Sequence, residues 1–358
     1  MIESFHIVNY RGLKDFTIEP LERVNLITGA NNVGKTALLE ALYLNLTPGS
    51  AFSSNLNSDK KESSTRHNLF RGFKDIPFNL DNVSKWGWLF YGKDLSKDIE
   101  LTSGFKGGRT QRLTMYWLIE DKTGGVPVPS GIPLDDLSIY LSVSFKDIVD
   151  SPFSWRIERA GHREMPSPHI LDTFPLRLLF DVSSRSQQED TKWFSKLDDV
   201  GRQGEIVDTL RLIEPRLKSL AVSTSDGPAM IYGDIGIGRR VPMSQMGEGM
   251  TRLLSLALEI TNASGGAVLI DEIENGLHHS VLAKVWRAIG EAARRSDTQI
   301  FATTHSWECI RAAHEAFLES NKYDLRLHRL ERSGESVKSV TYDKGTLNTS
   351  VEMNLEVR

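Results

Sequence analysis

Cysteine is almost absent: Cys309 is the one cysteine in 358 residues. That excludes a disulfide framework and any zinc site built on several cysteines, and it suits a reducing cytoplasm. Long apolar runs are missing too. No stretch approaches the roughly 18 residues needed to cross a bilayer. The opening MIESFHIVNYRG has neither the basic start nor the long apolar core of a signal peptide. A cytoplasmic protein with no membrane association is expected. An excess of either charge is lacking as well. With 43 Lys+Arg against 47 Asp+Glu the net charge is −4, so no global basic field points to nucleic acid, and only a local basic face stays open. Sustained heptads and long-period repeats do not occur, which argues against a long coiled coil or a solenoid. What is there is ordinary for a globular protein, 39% hydrophobic and 25% charged. The length suits one large domain or two ordinary ones.

The informative stretch is RVNLITGANNVGKTALLE, residues 23–40. Val24, Leu26 and Ile27 read as a short buried strand. Gly29 to Thr36 then matches the phosphate-loop pattern G-x-x-x-x-G-K-[ST], and Ala37 to Leu46 follows as a helix with Leu38, Leu39, Leu42 and Leu46 at helical spacing. Each residue type has a reason. Gly29 and Gly34 let the backbone curl, so that N–H groups across Asn31, Asn32 and the helix start at Lys35, Thr36 and Ala37 converge on one anion. The helix dipole adds to the same point. Lys35 reaches the outer phosphates of ATP, and Thr36 offers its hydroxyl to Mg²⁺.

Ahead of this segment, residues 2–8 and 16–18 read as strands on either side of the turn Asn9–Gly12. After it, residues 47–65 are polar and aperiodic and read as a mobile loop. Candidate strands follow at 98–102, 110–120 and 138–145, separated by Gly- and Pro-rich turns such as 123–133; they suggest a small antiparallel sheet. Trp86 and Trp88 are expected in its core. Residues 170–220 read as helical, with Ile206, Leu210, Ile213 and Leu217 on one face of 204–218. Arg185, Arg202, Arg211 and Arg216 are expected to be solvated or paired. Strands return over 219–235. The last third alternates helix 246–260, strand 267–270, helix 281–294, strand 300–302 and helix 307–318, and closes with a hairpin, 325–331 and 337–343, around Ser333-Gly334. Cys309 falls inside the last helix as a small buried residue.

Ala267-Val-Leu-Ile270 is wholly apolar, as a central parallel strand covered on both faces should be, and it ends in Asp271-Glu272. That is the Walker B arrangement: Asp271 as a Mg²⁺ ligand and Glu272 as the base that polarises the attacking water. Thr303-Thr304-His305-Ser306 follows the next buried strand, and His305 is placed to donate to the γ-phosphate or to orient the water. Ser244-Gln-Met-Gly247 precedes an apolar helix, a further anion site. The acids after His305 include Glu308, Glu315, Glu319, Asp324, Glu331 and Glu335; the first three fall on the predicted helix and read as its solvated face, and no nuclease centre is expected.

The order phosphate loop, Ser-Gly signature, hydrophobic-Asp-Glu, histidine resembles the ABC-type ATPases, and within them the branch of SMC proteins and OLD-family ATPases. FHIVNYRGLKDFTIEPLERVNLITGANNVGKTALLEAL is similar to their opening. LIDEIENGLHHSVLAKVWRAI resembles the small AAA/OLD-like ATPases of bacterial antiviral defence modules. The resemblance implies an α/β fold: a P-loop ABC-type ATPase head with a mostly parallel central sheet, helices on both faces, an N-terminal antiparallel β-subdomain and an inserted β/helical arm. The expected division is 1–50 and 201–358 for the two parts of the head and 51–200 for the arm. It further implies that Arg11 approaches the nucleotide and that Ser244 and Gly247 contact the γ-phosphate held by the other copy of a dimer. Asn275, Gly276 and His278 would cross the dimer interface. The implied partners are a second copy of this chain, or a higher homo-oligomer, and a separate effector, a nuclease or toxin. A compact SMC-like DNA-repair ATPase that clamps DNA is the alternative, and a nucleotide-gated scaffold with little turnover is a third. The signature departs from Leu-Ser-Gly-Gly-Gln, and no glutamine loop is located, with Gln111 a candidate. No counterpart of the SMC coiled coil or of the OLD nuclease domain is expected in this sequence.

Overall fold

The computed structural model describes residues 1–47, 87–119, 126–127, 139–146, 153–158, 175–179, 187–224 and 227–357. In chain order the strands are β1 Ile2–Tyr10, β2 Leu13–Ile18, β3 Val24–Gly29, β4 Ile99–Phe105, β5 Thr110–Ile119, β6 Val126–Pro127, β7 Ile139–Lys146, β8 Phe153–Glu158 and β9 Leu176–Leu179. They continue as β10 Ser219–Ser223, β11 Met230–Asp234, β12 Val241–Pro242, β13 Ala267–Ile270, β14 Gln299–Thr303, β15 Leu325–Ser333 and β16 Ser336–Tyr342. The helices are α1 Lys35–Leu46, α2 Gln187–Asp199, α3 Gln203–Arg211, α4 Glu248–Asn262, α5 His279–Arg295, α6 Trp307–Leu318 and α7 Lys344–Glu352.

Two compact units share these elements. The first comprises Met1–Leu21, Gly29–Phe174 and His328–Thr341. Its strands run β2-β1-β4-β5-β7-β8, all antiparallel, with β6 on β5. The strands after α1 therefore extend the sheet that β1 and β2 begin, and do not form one of their own. Strict alternation in β4 sends Ile99, Leu101, Ser103 and Phe105 inward. α1 packs against β1, β4 and β5. Its buried polar residue Asn45 is fully satisfied there: Nδ2 donates to Leu101 O at 2.8 Å, and Oδ1 accepts from Ser103 Oγ at 2.6 Å. Gln111 is also fully buried and donates to Asn45 O, so it fastens α1 to the sheet and does not face a ligand.

The second unit comprises Glu22–Thr28, Pro175–Leu327 and Tyr342–Arg358. Its core is a parallel run β3-β14-β13-β9, with register Ile27↔Thr303, Leu26↔Ala302, Ile270↔Ala302 and Ile270↔Leu179. Every residue of β13 and β14 is buried, so both faces are covered. α4 packs on α2, α3 and α5, and α5 on α6. Cys309 is buried on α6; burial, and then the nearby Glu274 carboxylate, push its thiol up to about 12, which keeps it an inert packing residue.

Three further expectations are corrected. Leu176–Leu179 is a strand where a helix was expected: four apolar-rich residues are too few for periodicity to choose, and pairing with β13 decides. The helix read over 204–218 stops at Arg211. Pro215 disfavours helical backbone just ahead of it, and Leu217 is nevertheless buried in the turn that follows. Trp88 is 63% exposed, with Lys93 Nζ 3.3 Å from its ring centre. It lies in the short 3-10 turn Gly87–Leu89, where Leu89 and the following Phe90 take the buried positions. Trp86, Arg185, nearly all of 47–65 and most of the turn 123–133 lie outside the described residues. Arg202, Arg211 and Arg216 pair with Glu205, Asp208 and Glu214, as expected.

Candidate functional site

The phosphate loop grows from local rules. Gly29 has φ 137° and Gly34 has φ 116°, values an L side chain strains to adopt. Space excludes one as well: a Cβ on Gly29 would lie 2.5 Å from Leu330 O, and one on Gly34 3.0 Å from Leu13 Cδ2. Asn32 takes φ 60°, which asparagine tolerates. Asn31 and Asn32 are exposed, whereas Val33 plugs the core beneath them. α1 starts at Lys35 with Gly34 as its cap, so the first helical N–H groups at Lys35, Thr36 and Ala37 open toward the loop. Lys35 is only 6% exposed, and its Nζ donates to Gly29 O at 2.7 Å and Ala30 O at 2.9 Å. The ammonium is thus held over the loop by the loop's own carbonyls.

Arg11 sits at the β1–β2 turn with φ 49°, and its N–H donates to Leu89 O at 2.6 Å. Its Nε lies 2.9 Å from Glu40 Oε2, on the second turn of α1. Burial works against the guanidinium's charge, but Tyr10 and Glu40 outweigh it, and its pKa is raised. The structure therefore ties Arg11 to the phosphate-loop helix through Glu40, a residue that sequence reasoning passed over because nothing local marks it.

In the second unit, Asp271 and Glu272 leave the carboxyl end of β13, and His305 follows the carboxyl end of β14 beside it. The other neighbour of β14 is β3, whose last residue, Gly29, is the first of the loop. Ligands in open α/β sheets bind at this edge. Thr303 Oγ1 donates to Asp271 Oδ1 at 2.5 Å and accepts from the Glu272 amide at 2.8 Å. Glu272 has φ 48°. Arg252 of α4 donates to its carbonyl at 3.3 Å, and Asn275 Nδ2 donates to its Oε2 at 2.6 Å. His305 Nε2 stands 4.0 Å from Glu272 Oε1, and its backbone N–H donates to Glu274 Oε1 at 2.8 Å. The residues named from sequence, Asp271, Glu272 and His305, are thus brought together. Thr303, Glu274 and Arg252 complete the group and were missed, although Thr303 and Glu274 stand inside the quoted motifs.

Ser244 is exposed on the 3-10 turn Met243–Gln245, and Gly247, at φ 100°, caps α4 with open space around it. Gly276 lies against the same helix start: a Cβ there would be 2.9 Å from Glu248 Oε1. Asn275, Gly276 and His278 are exposed, so the signature and the following segment present one surface within this unit. The tail acids do not converge. Glu308 accepts from Ser306, Glu315 pairs with Arg311, and Glu319 pairs with Arg287. Among the described residues no group of three or more His, Cys, Asp or Glu side chains gathers to hold a metal ion.

Comparison with known proteins adds the following. A family profile described as "AAA domain, putative AbiEii toxin, Type IV TA system" matches residues 24–310. An "ATP/GTP phosphatase" of Helicobacter pylori is 22% identical over 370 residues, covering 96% of this chain and 95% of that protein. A DNA replication and repair protein RecF of Idiomarina loihiensis is 42% identical over 43 residues, 12% of either chain. The crystal structure of an SMC head bound to the C-winged helix domain of ScpA is 14% identical, with TM-score 0.50, covering 98% of this chain and 99% of that one, and it shows the shared fold.

Proposed function

We propose that this chain, which belongs to the family described as "AAA domain, putative AbiEii toxin, Type IV TA system" and is a P-loop ATPase of the SMC-head type, uses ATP to clasp two copies of itself and so switches a separate effector. The observation that carries this reading is the placement of Asp271, Glu272 and His305 at the ends of two adjacent parallel strands, with the phosphate loop following the third.

The roles follow from the chemistry of each group. N–H groups of Asn31, Asn32, Gly34, Lys35, Thr36 and Ala37 bind the phosphates, with Lys35 on the outer ones. Arg11, steadied by Glu40, approaches the nucleotide. The Thr36 hydroxyl and Asp271 carboxylate would hold Mg²⁺; such hard oxygen donors, with phosphate oxygens and water, suit this ion. When bound, Mg²⁺ neutralises charge on the phosphates. Glu272 accepts the proton of the water that attacks the γ-phosphorus, and His305 orients that water or donates to the γ-phosphate. Ser244 and Gly247 complete the site of the second copy, while Asn275, Gly276 and His278 cross between copies. Departure of ADP and phosphate then lets the copies part. The relative's name covers ATP and GTP, so both belong in the assay.

The effector, a nuclease or toxin on another chain, places the switch in cytoplasmic anti-phage defence; the toxin–antitoxin description of the family supports this. The short RecF match favours a second reading, a repair ATPase that clamps DNA; DNA binding that weakens with salt and strengthens with ATP would select it. The primary test is Glu272→Gln. The variant should bind ATP with unchanged affinity and lose about 10²–10⁴-fold in turnover. It should also double its mass in light scattering when ATP is added. The same mass with and without ATP refutes the clasp.

A further inference from the structure

Thr303 closes β14 and is fully buried. Its one hydroxyl donates to Asp271 Oδ1 and accepts the Glu272 N–H, and its carbonyl accepts the Ile273 N–H at 3.0 Å. Three consecutive residues of the acid run are therefore tied to one threonine on the neighbouring strand. Glu272 needs the restraint. Its left-handed φ of 48° is a conformation that a long side chain keeps only where its surroundings hold the backbone. Thr303 holds the amide side, and Arg252 holds the carbonyl side.

We propose that Thr303 is the positioning residue of the acid pair. It sets the rotation of the Asp271 carboxylate toward the metal and the aim of Glu272 toward water. It also ties both to the strand end that carries His305 two residues on. This rests on the reading of Asp271 as metal ligand and Glu272 as base. The hydroxyl is the essential part: valine has the same shape and β-branch but neither donates nor accepts. The methyl sharpens the rotamer, which is why threonine serves better than serine.

The test compares Thr303→Val and Thr303→Ser in the full chain. Mn²⁺ binding is read by electron paramagnetic resonance with a non-hydrolysable ATP analogue, beside ATP turnover and metal-free ATP affinity. The valine variant should lose about 10–100-fold in Mn²⁺ affinity and in turnover, the usual consequence of losing a partner behind a metal ligand. Metal-free ATP affinity should stay within about threefold, because the hydroxyl's hydrogen bonds go to Asp271 and Glu272. The serine variant should keep Mn²⁺ affinity to within about threefold. Wild-type Mn²⁺ affinity in the valine variant overturns the proposal, as does a serine variant that loses as much as valine. If circular dichroism shows the valine variant unfolded, Thr303→Ala takes its place with the same expectations. Glu272→Gln separates the two levels. Unimpaired turnover there refutes the assignment of the base itself, whereas an inactive Glu272→Gln beside a normal Thr303→Val refutes the positioning role alone.

Discussion

Replacing Lys35 with alanine separates the loop's chemistry from its folding. The ammonium donates to Gly29 O and Ala30 O and is 6% exposed. Removing it loses two hydrogen bonds but also relieves a desolvated charge. The net cost to stability is about 1 kcal/mol, a shift of about 2–4 °C in Tm. Binding is another matter. Charge-assisted hydrogen bonds contribute about 1.5–3 kcal/mol each. Two phosphate oxygens on one ammonium therefore account for about 3–6 kcal/mol, or roughly two to four orders of magnitude in Kd. Isothermal titration with ATP reads the affinity, and a melting curve without nucleotide confirms the fold. A folded variant whose Kd for ATP stays within about threefold of wild type would refute the phosphate-loop assignment.

Two further predictions concern stability. Gly266→Ala should lower Tm by roughly 6–12 °C, from a cost of about 3 kcal/mol. The added Cβ would lie 1.6 Å from Pro175 O, where β9 begins beside β13, so backbone must move; an unchanged melting curve would sink the placement of β9. His314 is buried between Tyr323 and Asn348, and burial lowers its pKa in the folded state. The unfolded chain then takes the proton more readily. Its contribution to stability is full above the unfolded pKa near 6.5 and is lost as pH falls below it. Wild type should therefore melt lower at about pH 5.5 than at about pH 7.5, and His314→Gln should narrow that difference; an equal difference in both would refute the assignment.

Much of the candidate site could be read directly from the chain because its chemistry is local. Gly29 to Thr36 are consecutive, and their glycines, lysine and threonine dictate the loop wherever a strand enters and a helix leaves. Ala267 to Glu272 likewise contain strand and acids together. The β15–β16 hairpin around Gly334 was legible for the same reason, since a turn residue at φ 60° sits between two alternating runs.

What the sequence by itself determined, then, is the local elements and the residues on them that are proposed as the reacting groups. The tertiary structure decided their company. Thr303 meets Asp271 and Glu272 only because β13 and β14 pair in parallel at one register. Arg11 meets Glu40 only because the β1–β2 turn comes down on α1. The same holds where expectation failed. Leu176–Leu179 became a strand through its neighbour β13, and Trp88 stayed outside because Leu89 and Phe90 filled the inward positions. Residue type and short-range period act over one or two turns of chain. Partners distant in sequence are chosen by sheet register and by competition for buried volume, and neither is written in any single segment.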